Sequence, residues 1–316
     1  MTLGASFSHR HLSFLRINPS KALKAYKSLE LKWIRLGCYW DEIEENENNF
    51  SFEKLDPLID YCNKNKIKVL LTVGMKAPRH PEYYFPDWVD SKANFKKLSK
   101  IKTNNKKLLE STLNYIEAAI KHYKNNFDVN VWQVENEPLD PSGPNWLRID
   151  YDFLKKEAEL VRSLTPEKKV LINIWGNELG KRKLYKKAIR LADIIGLDIY
   201  LKHAFSLKGK FIKYIGPIDS KRNIKKIVEE IKKAGKSVWL TELQAEPWEQ
   251  GEIVTSKIDP PSFPPEQFEK NLEYAGELDP KVTLLWGFEF WYMRKLKGDP
   301  RYWNAAKDEI IKHIRD

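Results

Sequence analysis

Eight apolar runs of strand length recur along the chain, and each of them is followed by a segment with helical spacing. That alternation marks β/α units laid on a parallel sheet. The runs are TLGASF (2–7), KWIRLGCYW (32–40), IKVLLTVG (67–74), VNVWQVE (129–135), KVLINIWG (169–176), DIIGLDIY (193–200), SVWLTEL (237–243) and VTLLWGFEF (282–290). They are apolar at both parities, as strands covered by helices on one face and by a packed interior on the other must be. Eight such units in 316 residues predict an α/β chain folded as a single (β/α)8 barrel over residues 1–316. Its active site would lie at the carboxyl ends of the strands. The rival is a doubly wound open sheet, which normally carries a glycine-rich phosphate loop after an early strand. Here Gly4, Gly37 and Gly74 stand alone.

The helical segments are punctuated as real helices are. Asn18-Pro19 reads as an N-cap with proline at the first helical position, and Thr165-Pro166 follows DFLKKEAELVRSL. Asp219 precedes SKRNIKKIVEEIKKAG, which Gly235 closes just before the seventh strand. No linker, repeat or low-complexity stretch interrupts the series, so one domain is expected.

Composition excludes several other functions. The net charge of +11 invites a phosphate-binding role, but the excess is carried by 43 Lys against 12 Arg, spread with glutamates along helices such as KKIVEEIKK. Base and phosphate recognition favours arginine, so a solvated basic surface is expected rather than nucleic-acid binding. No apolar run reaches membrane length, and MTLGASFSHRH lacks the pattern of a signal peptide. A cytoplasmic protein is expected, or a secreted one if a signal has been removed. Cys38 and Cys62 are too few for a disulfide framework and are read as core residues. The histidines are scattered without ligand spacing, so neither a metal nor another cofactor is expected. The oligomeric state is left open.

The strand ends collect an unusual set of side chains. Arg35 lies in the second strand and Trp40 at its tip. Arg79, His80, Tyr83, Tyr84 and Trp88 follow the third. The fourth supplies Glu135, Asn136 and Glu137, with Trp146 in the loop beyond. Trp175 and Asn177 follow the fifth, and Tyr200 and His203 the sixth. Glu242 closes the seventh, followed by Gln244, Glu246 and Trp248, while Trp286, Glu289 and Trp291 belong to the eighth. Seven of the 11 tryptophans fall at these ends. Indole at a solvent-facing rim suits a ligand with an apolar face, and a pyranose ring has one, edged by hydroxyls for Asn, His and carboxylate partners.

Two carboxylates stand out. Three β/α units of about 35 residues separate Glu137 from Glu242, which places them roughly opposite each other in an eight-fold ring. Such a pair can cut a glycosidic bond, and a separation of about 5–5.5 Å would make the enzyme retaining. Arg35 and the Tyr200 hydroxyl are the groups placed to keep Glu242 ionised. The charge of Glu242 and partial burial would keep Glu137 protonated. Asn136 is then placed to hold a sugar hydroxyl.

These residues resemble a known group. Asn136-Glu137-Pro138, Thr241-Glu242, Arg35, Tyr200 and Trp286 in LLWGFEF look like the retaining glycosidases of glycoside hydrolase clan A, near the cellulase-like family 5 and the β-galactosidase-like members. The resemblance spans nearly the whole chain. It implies Glu137 as acid/base, Glu242 as nucleophile, Arg35 and Tyr200 as supports of the nucleophile, and Trp286 as the floor of the sugar subsite at the cleavage point. His80, Trp40, Trp175, Trp248 and Trp291 are expected to line the site, and Glu135 to be interior. Two positions depart from family 5: His80 matches its histidine only loosely, and Asp198 replaces the histidine two residues before the tyrosine. The partner implied is a β-linked sugar. A non-catalytic carbohydrate-binding barrel is the alternative.

Overall fold

The computed structural model describes residues 1–89, 95–125, 129–143, 145–176, 182–207, 210–215, 220–249 and 258–315. The eight expected strands are present: β1 Thr2–Phe7, β2 Trp33–Gly37, β3 Lys68–Val73, β4 Val129–Val134, β5 Lys169–Trp175, β6 Ile194–Ile199, β7 Ser237–Gln244 and β8 Val282–Trp286. They form a closed barrel in sequence order around the ring, as right-handed β/α connections between adjacent parallel strands require. Contacts group the residues into two compact units. One is Met1–Ile34 with Gly176–Lys181 and Leu197–Asp316; the other is Arg35–Trp175 with Arg182–Gly196.

In the first unit β8 pairs in parallel with β1, Thr2 opposite Val282 and Ala5 opposite Leu285. It also pairs with β7, Trp239 opposite Val282 and Gln244 opposite Trp286. The β7–β8 register shifts between Leu240 and Leu243. Such an irregularity re-aims side chains, and it falls on Thr241-Glu242. Phe7, Tyr26 and Phe288 form an aromatic cluster with ring centroids 5.1–6.1 Å apart. The Tyr26 hydroxyl accepts the Ala5 N–H at 2.8 Å and donates to the Trp33 carbonyl at 2.5 Å, which satisfies its polar end inside an apolar core. Asn18 caps its helix as expected, its side-chain oxygen accepting the Lys21 N–H at 3.0 Å. Gly235, at φ 72°, follows the helix ending at Lys233 in the left-handed conformation that suits glycine.

In the second unit β4 pairs in parallel with β3, Val73 opposite Val134, and with β5, Gln133 opposite Leu171. The helices Lys106–Tyr123 and Tyr151–Leu164 each turn an apolar stripe inward, and the second ends at Thr165 as expected. Cys38 and Cys62 are fully buried free thiols. Burial pushes the Cys38 thiol up to about 12.

The structure corrects two expectations. The second strand ends at Gly37, and Trp40 opens a short helix, Trp40–Ile43. The eighth ends at Trp286, with Glu289 and Trp291 on a helix, Phe288–Leu296. A short buried apolar run looks alike as strand or helix, so periodicity could not separate them. Gly287 makes the break: at φ 148°, it brings its Cα so close to Ala245 that a Cβ would lie 2.4 Å from the carbonyl oxygen. Two small ladders were also unforeseen. Lys100–Ile101 pairs in parallel with Arg148–Ile149, and His203–Leu207 pairs antiparallel with Lys210–Ile215. Asn177, Asp219 and the side chain of His203 lie outside the described residues. Among those described, no helix is long and apolar enough to cross a membrane.

Candidate active site

Strand ends in the first unit gather around Glu242. It is nearly enclosed near the end of β7, and its Oε2 accepts the Tyr200 hydroxyl at 2.6 Å. One residue back, the Thr241 hydroxyl donates to Asp198 Oδ1 at 2.5 Å, so the residue standing in for a family 5 histidine is a buried tie between β6 and β7. Gln244 completes the join: its Oε1 accepts the Lys202 N–H at 2.8 Å, and its Nε2 donates to the Lys202 carbonyl at 2.7 Å. The Trp248 ring lies 5.2 Å from that of Tyr200 and is 39% exposed. Its backbone N–H donates to Ser262 Oγ at 2.8 Å, and the Ser262 N–H donates to Glu249 Oε1 at 3.0 Å, which holds the IDPPSFPPEQ segment to the loop after β7. Trp286 is buried at the end of β8, and its carbonyl accepts the Ala245 N–H at 2.9 Å. Glu289 is buried too, with Oε1 accepting the Ser8 N–H at 2.5 Å beyond β1.

Strand ends in the second unit are laced by amides. Arg35, buried on β2, donates from Nε to Gln133 Oε1 at 2.8 Å and from Nη2 to Asn136 Oδ1 at 2.6 Å. Asn173 on β5 donates from Nδ2 to the same Asn136 oxygen at 2.9 Å. Its own Oδ1 accepts Gln133 Nε2 at 3.0 Å and the Glu137 N–H at 2.8 Å. Glu137 is half-buried with φ 43°, and its carbonyl accepts Lys76 Nζ at 2.8 Å. A left-handed glutamate is a strained one, and it persists where the surroundings over-determine it. Here the surroundings are Asn173 on one side and Lys76 on the other.

Tryptophans divide into two groups. Trp40 and Trp291 are completely buried, which corrects their expected place in the site lining. Trp40 stacks on Tyr115 at 5.5 Å and donates to Glu44 Oε2 at 2.7 Å; Trp291 donates to the Ala245 carbonyl at 2.5 Å and packs on Phe268. An enclosed indole offers no face to a ligand. Trp175 is half-buried at the end of β5, its N–H donating to Asp140 Oδ2 at 3.1 Å, and Trp146 is 53% exposed. His80 is exposed in the loop after β3, where its carbonyl accepts the Tyr84 hydroxyl at 3.3 Å. Gln133 and Asn173 were missed. Their only trace in the sequence is an amide inside an otherwise apolar strand run.

A beta-galactosidase family model matches residues 17–142. Endo-1,4-beta-xylanase A of Thermoanaerobacterium saccharolyticum is 25% identical over 222 residues, covering 64% of this chain and 17% of its own length. Exoglucanase XynX of Acetivibrio thermocellus is 24% identical over 220 residues, covering 64% of this chain and 18% of its own. The chain thus spans under a fifth of the length of these two relatives. In structure it is similar to a β-galactosidase of the Antarctic haloarchaeon Halorubrum lacusprofundi, at TM-score 0.66 and 14% identity over 98% of this chain and 58% of that one. A GH5_18 structure from Streptomyces cattleya also gives 0.66 and 14%, over 99% of this chain and 80% of that one. The fold is the one these glycosidases share.

Proposed function

We propose that this clan A type of (β/α)8 barrel is a retaining β-glycoside hydrolase, with Glu242 as nucleophile and Glu137 as acid/base. The support comes chiefly from the Tyr200–Glu242 hydrogen bond of 2.6 Å at the carboxyl ends of β6 and β7. A carboxylate that accepts a hydroxyl is held in one orientation for attack. Glu137 is offered at the carboxyl end of β4 by a backbone held from both sides, which suits a group that must deliver a proton to one oxygen.

In the first step the Glu137 carboxyl gives its proton to the leaving oxygen while the Glu242 carboxylate bonds to the anomeric carbon and the glycosidic bond breaks. In the second, the Glu137 carboxylate takes a proton from water, the water oxygen bonds to the same carbon and Glu242 departs. Two inversions retain the configuration. Arg35 and Asn173 occupy the Asn136 amide oxygen, so its NH2 group is the one turned to a sugar hydroxyl. Trp248, Trp286 and Trp175, with His80 at the loop rim, supply the faces and edges for the rings. β-Galactosides and β-1,4-xylo-oligosaccharides are the first substrates to try, given the relatives.

Proton NMR during hydrolysis of an aryl β-glycoside tests the reading. The β-anomer of the free sugar appears first and mutarotates later; initial release of the α-anomer would rule out double displacement. Tyr200→Phe lowers kcat about 10- to 100-fold with KM little changed, as loss of one hydrogen bond to a charged group costs about 1.5–3 kcal/mol. Steady-state kinetics on the same glycoside check it, and an unchanged kcat would remove Tyr200 from the site.

A further inference from the structure

Beneath Glu137 lies a cluster that the reaction does not consume. Glu135 and Glu157 are both completely buried, the first just past β4 and the second on the helix Tyr151–Leu164. Their carboxyls lie against each other. Two ionised carboxylates can only accept, so this contact needs a proton between them. Glu157 is the partner that carries it, because neither of its oxygens receives a hydrogen bond from an N–H or O–H group of the described residues. Glu135 is the partner that keeps the charge: its Oε1 accepts the Met75 N–H at 2.8 Å and its Oε2 the Lys76 N–H at 2.5 Å.

Glu135 thereby ties the loop after β3 to the loop after β4, and other bonds run the same way. The Glu135 N–H donates to Val73 O and the Asn136 N–H to Lys76 O, each at 2.8 Å. The buried Lys76 ammonium returns across the gap to the carbonyls of Glu137 at 2.8 Å and Asp140 at 3.3 Å. Glu135, like Glu137, has a left-handed backbone, at φ 62°, so the turn holds two strained residues with one between them. Gly74 makes room: at φ 121°, a Cβ there would meet the Glu135 carboxyl at 2.3 Å.

We propose that Glu135, held by the Met75 and Lys76 N–H groups and backed by the Lys76 ammonium, is a positioning residue that holds the backbone of Glu137 in register for proton transfer. The proposal rests on the glycosidase reading for its purpose, but not for its structure. Burial raises both carboxyls, and the charge on Glu135 raises Glu157 further. The other charged or titratable groups around the pair are Lys76, Tyr83 and Glu82 on the loop after β3, and Tyr115 on the helix Lys106–Tyr123. Burial pushes both tyrosines well above 10, so neither competes near neutrality. An acid whose folded value is raised contributes stability below the ordinary glutamate range near pH 4.3, and that contribution is lost as pH rises through the folded value.

Glu135→Gln and Glu157→Gln separate the possibilities. Glutamine at 157 still donates to Glu135, so that variant keeps kcat within about twofold. Its melting temperature falls less steeply between pH 5 and 7, by about 2–4 °C per pH unit, because one proton no longer dissociates. Glutamine at 135 sets an NH2 against a backbone N–H. There, hydrogen exchange in 74–77 and 135–140 speeds up, and kcat falls about 100-fold with KM little changed, the scale expected for a displaced catalytic group. A wild-type pH slope in Glu157→Gln, or unchanged exchange in Glu135→Gln, overturns the proposal even in an active hydrolase. Full turnover in Glu242→Ala would instead end the glycosidase reading and leave the thermal and exchange results as they stand.

Discussion

Glu242→Ala abolishes hydrolysis of an aryl β-glycoside, with kcat down on the order of 10⁴- to 10⁶-fold, as for removal of a nucleophile that works as part of a unit. The covalent intermediate cannot form, and Tyr200 is left donating to a cavity. Added azide, small enough to enter that cavity, restores turnover of the activated substrate and releases a glycosyl azide of inverted configuration. Glu242→Gln behaves alike in turnover while keeping the carboxylate's size. Binding calorimetry with an oligosaccharide decides the alternative, since a non-catalytic sugar-binding barrel has no turnover to lose and binds the ligand in both forms. A Glu242→Ala protein that hydrolyses like its parent would remove the nucleophile from the scheme.

Glu137→Ala loses activity according to the leaving group. Proton delivery is worth about 10²–10⁴-fold, so hydrolysis of a sugar–sugar bond falls by that much. A dinitrophenyl glycoside, whose leaving group departs without a proton, keeps its first step. The second step is slow because no group then activates water, so a burst of dinitrophenol precedes a slow steady state. Stopped-flow absorbance reads both phases. An equal loss on both substrates would assign Glu137 a structural role, and Glu135→Gln provides the contrast, with Glu137 retained but its backbone released.

Parts of this were legible in the residues. WQVENEP announced a carboxylate set at a strand end, and its two glutamates proved different in kind: Glu137 is half-buried at the strand end, while Glu135 is sealed beneath it. The motif set Glu137 at the rim and Glu135 in the interior; strand periodicity alone could not, because left-handed turns at both positions break the alternation of faces that a strand would impose. Tryptophans illustrate the opposite failure. Trp40 and Trp291 sit at strand ends in the sequence, as Trp248 does, yet they are buried in the core and Trp248 is partly exposed. The difference lies in which helix or loop covers each ring.

The order of eight strands and their parallel sense follow from periodicity, and the two acidic positions proposed for catalysis were read from motif, because hydrophobic spacing and local turn chemistry act over a few residues. The bonds that hold Asn136 through Arg35 and Asn173, the tie of Tyr200 to Glu242 and the approach of Glu135 to Glu157 belong to the tertiary structure alone. Each joins residues from 22 to 101 positions apart, and only the closing of strand against strand decides which buried polar group finds which partner.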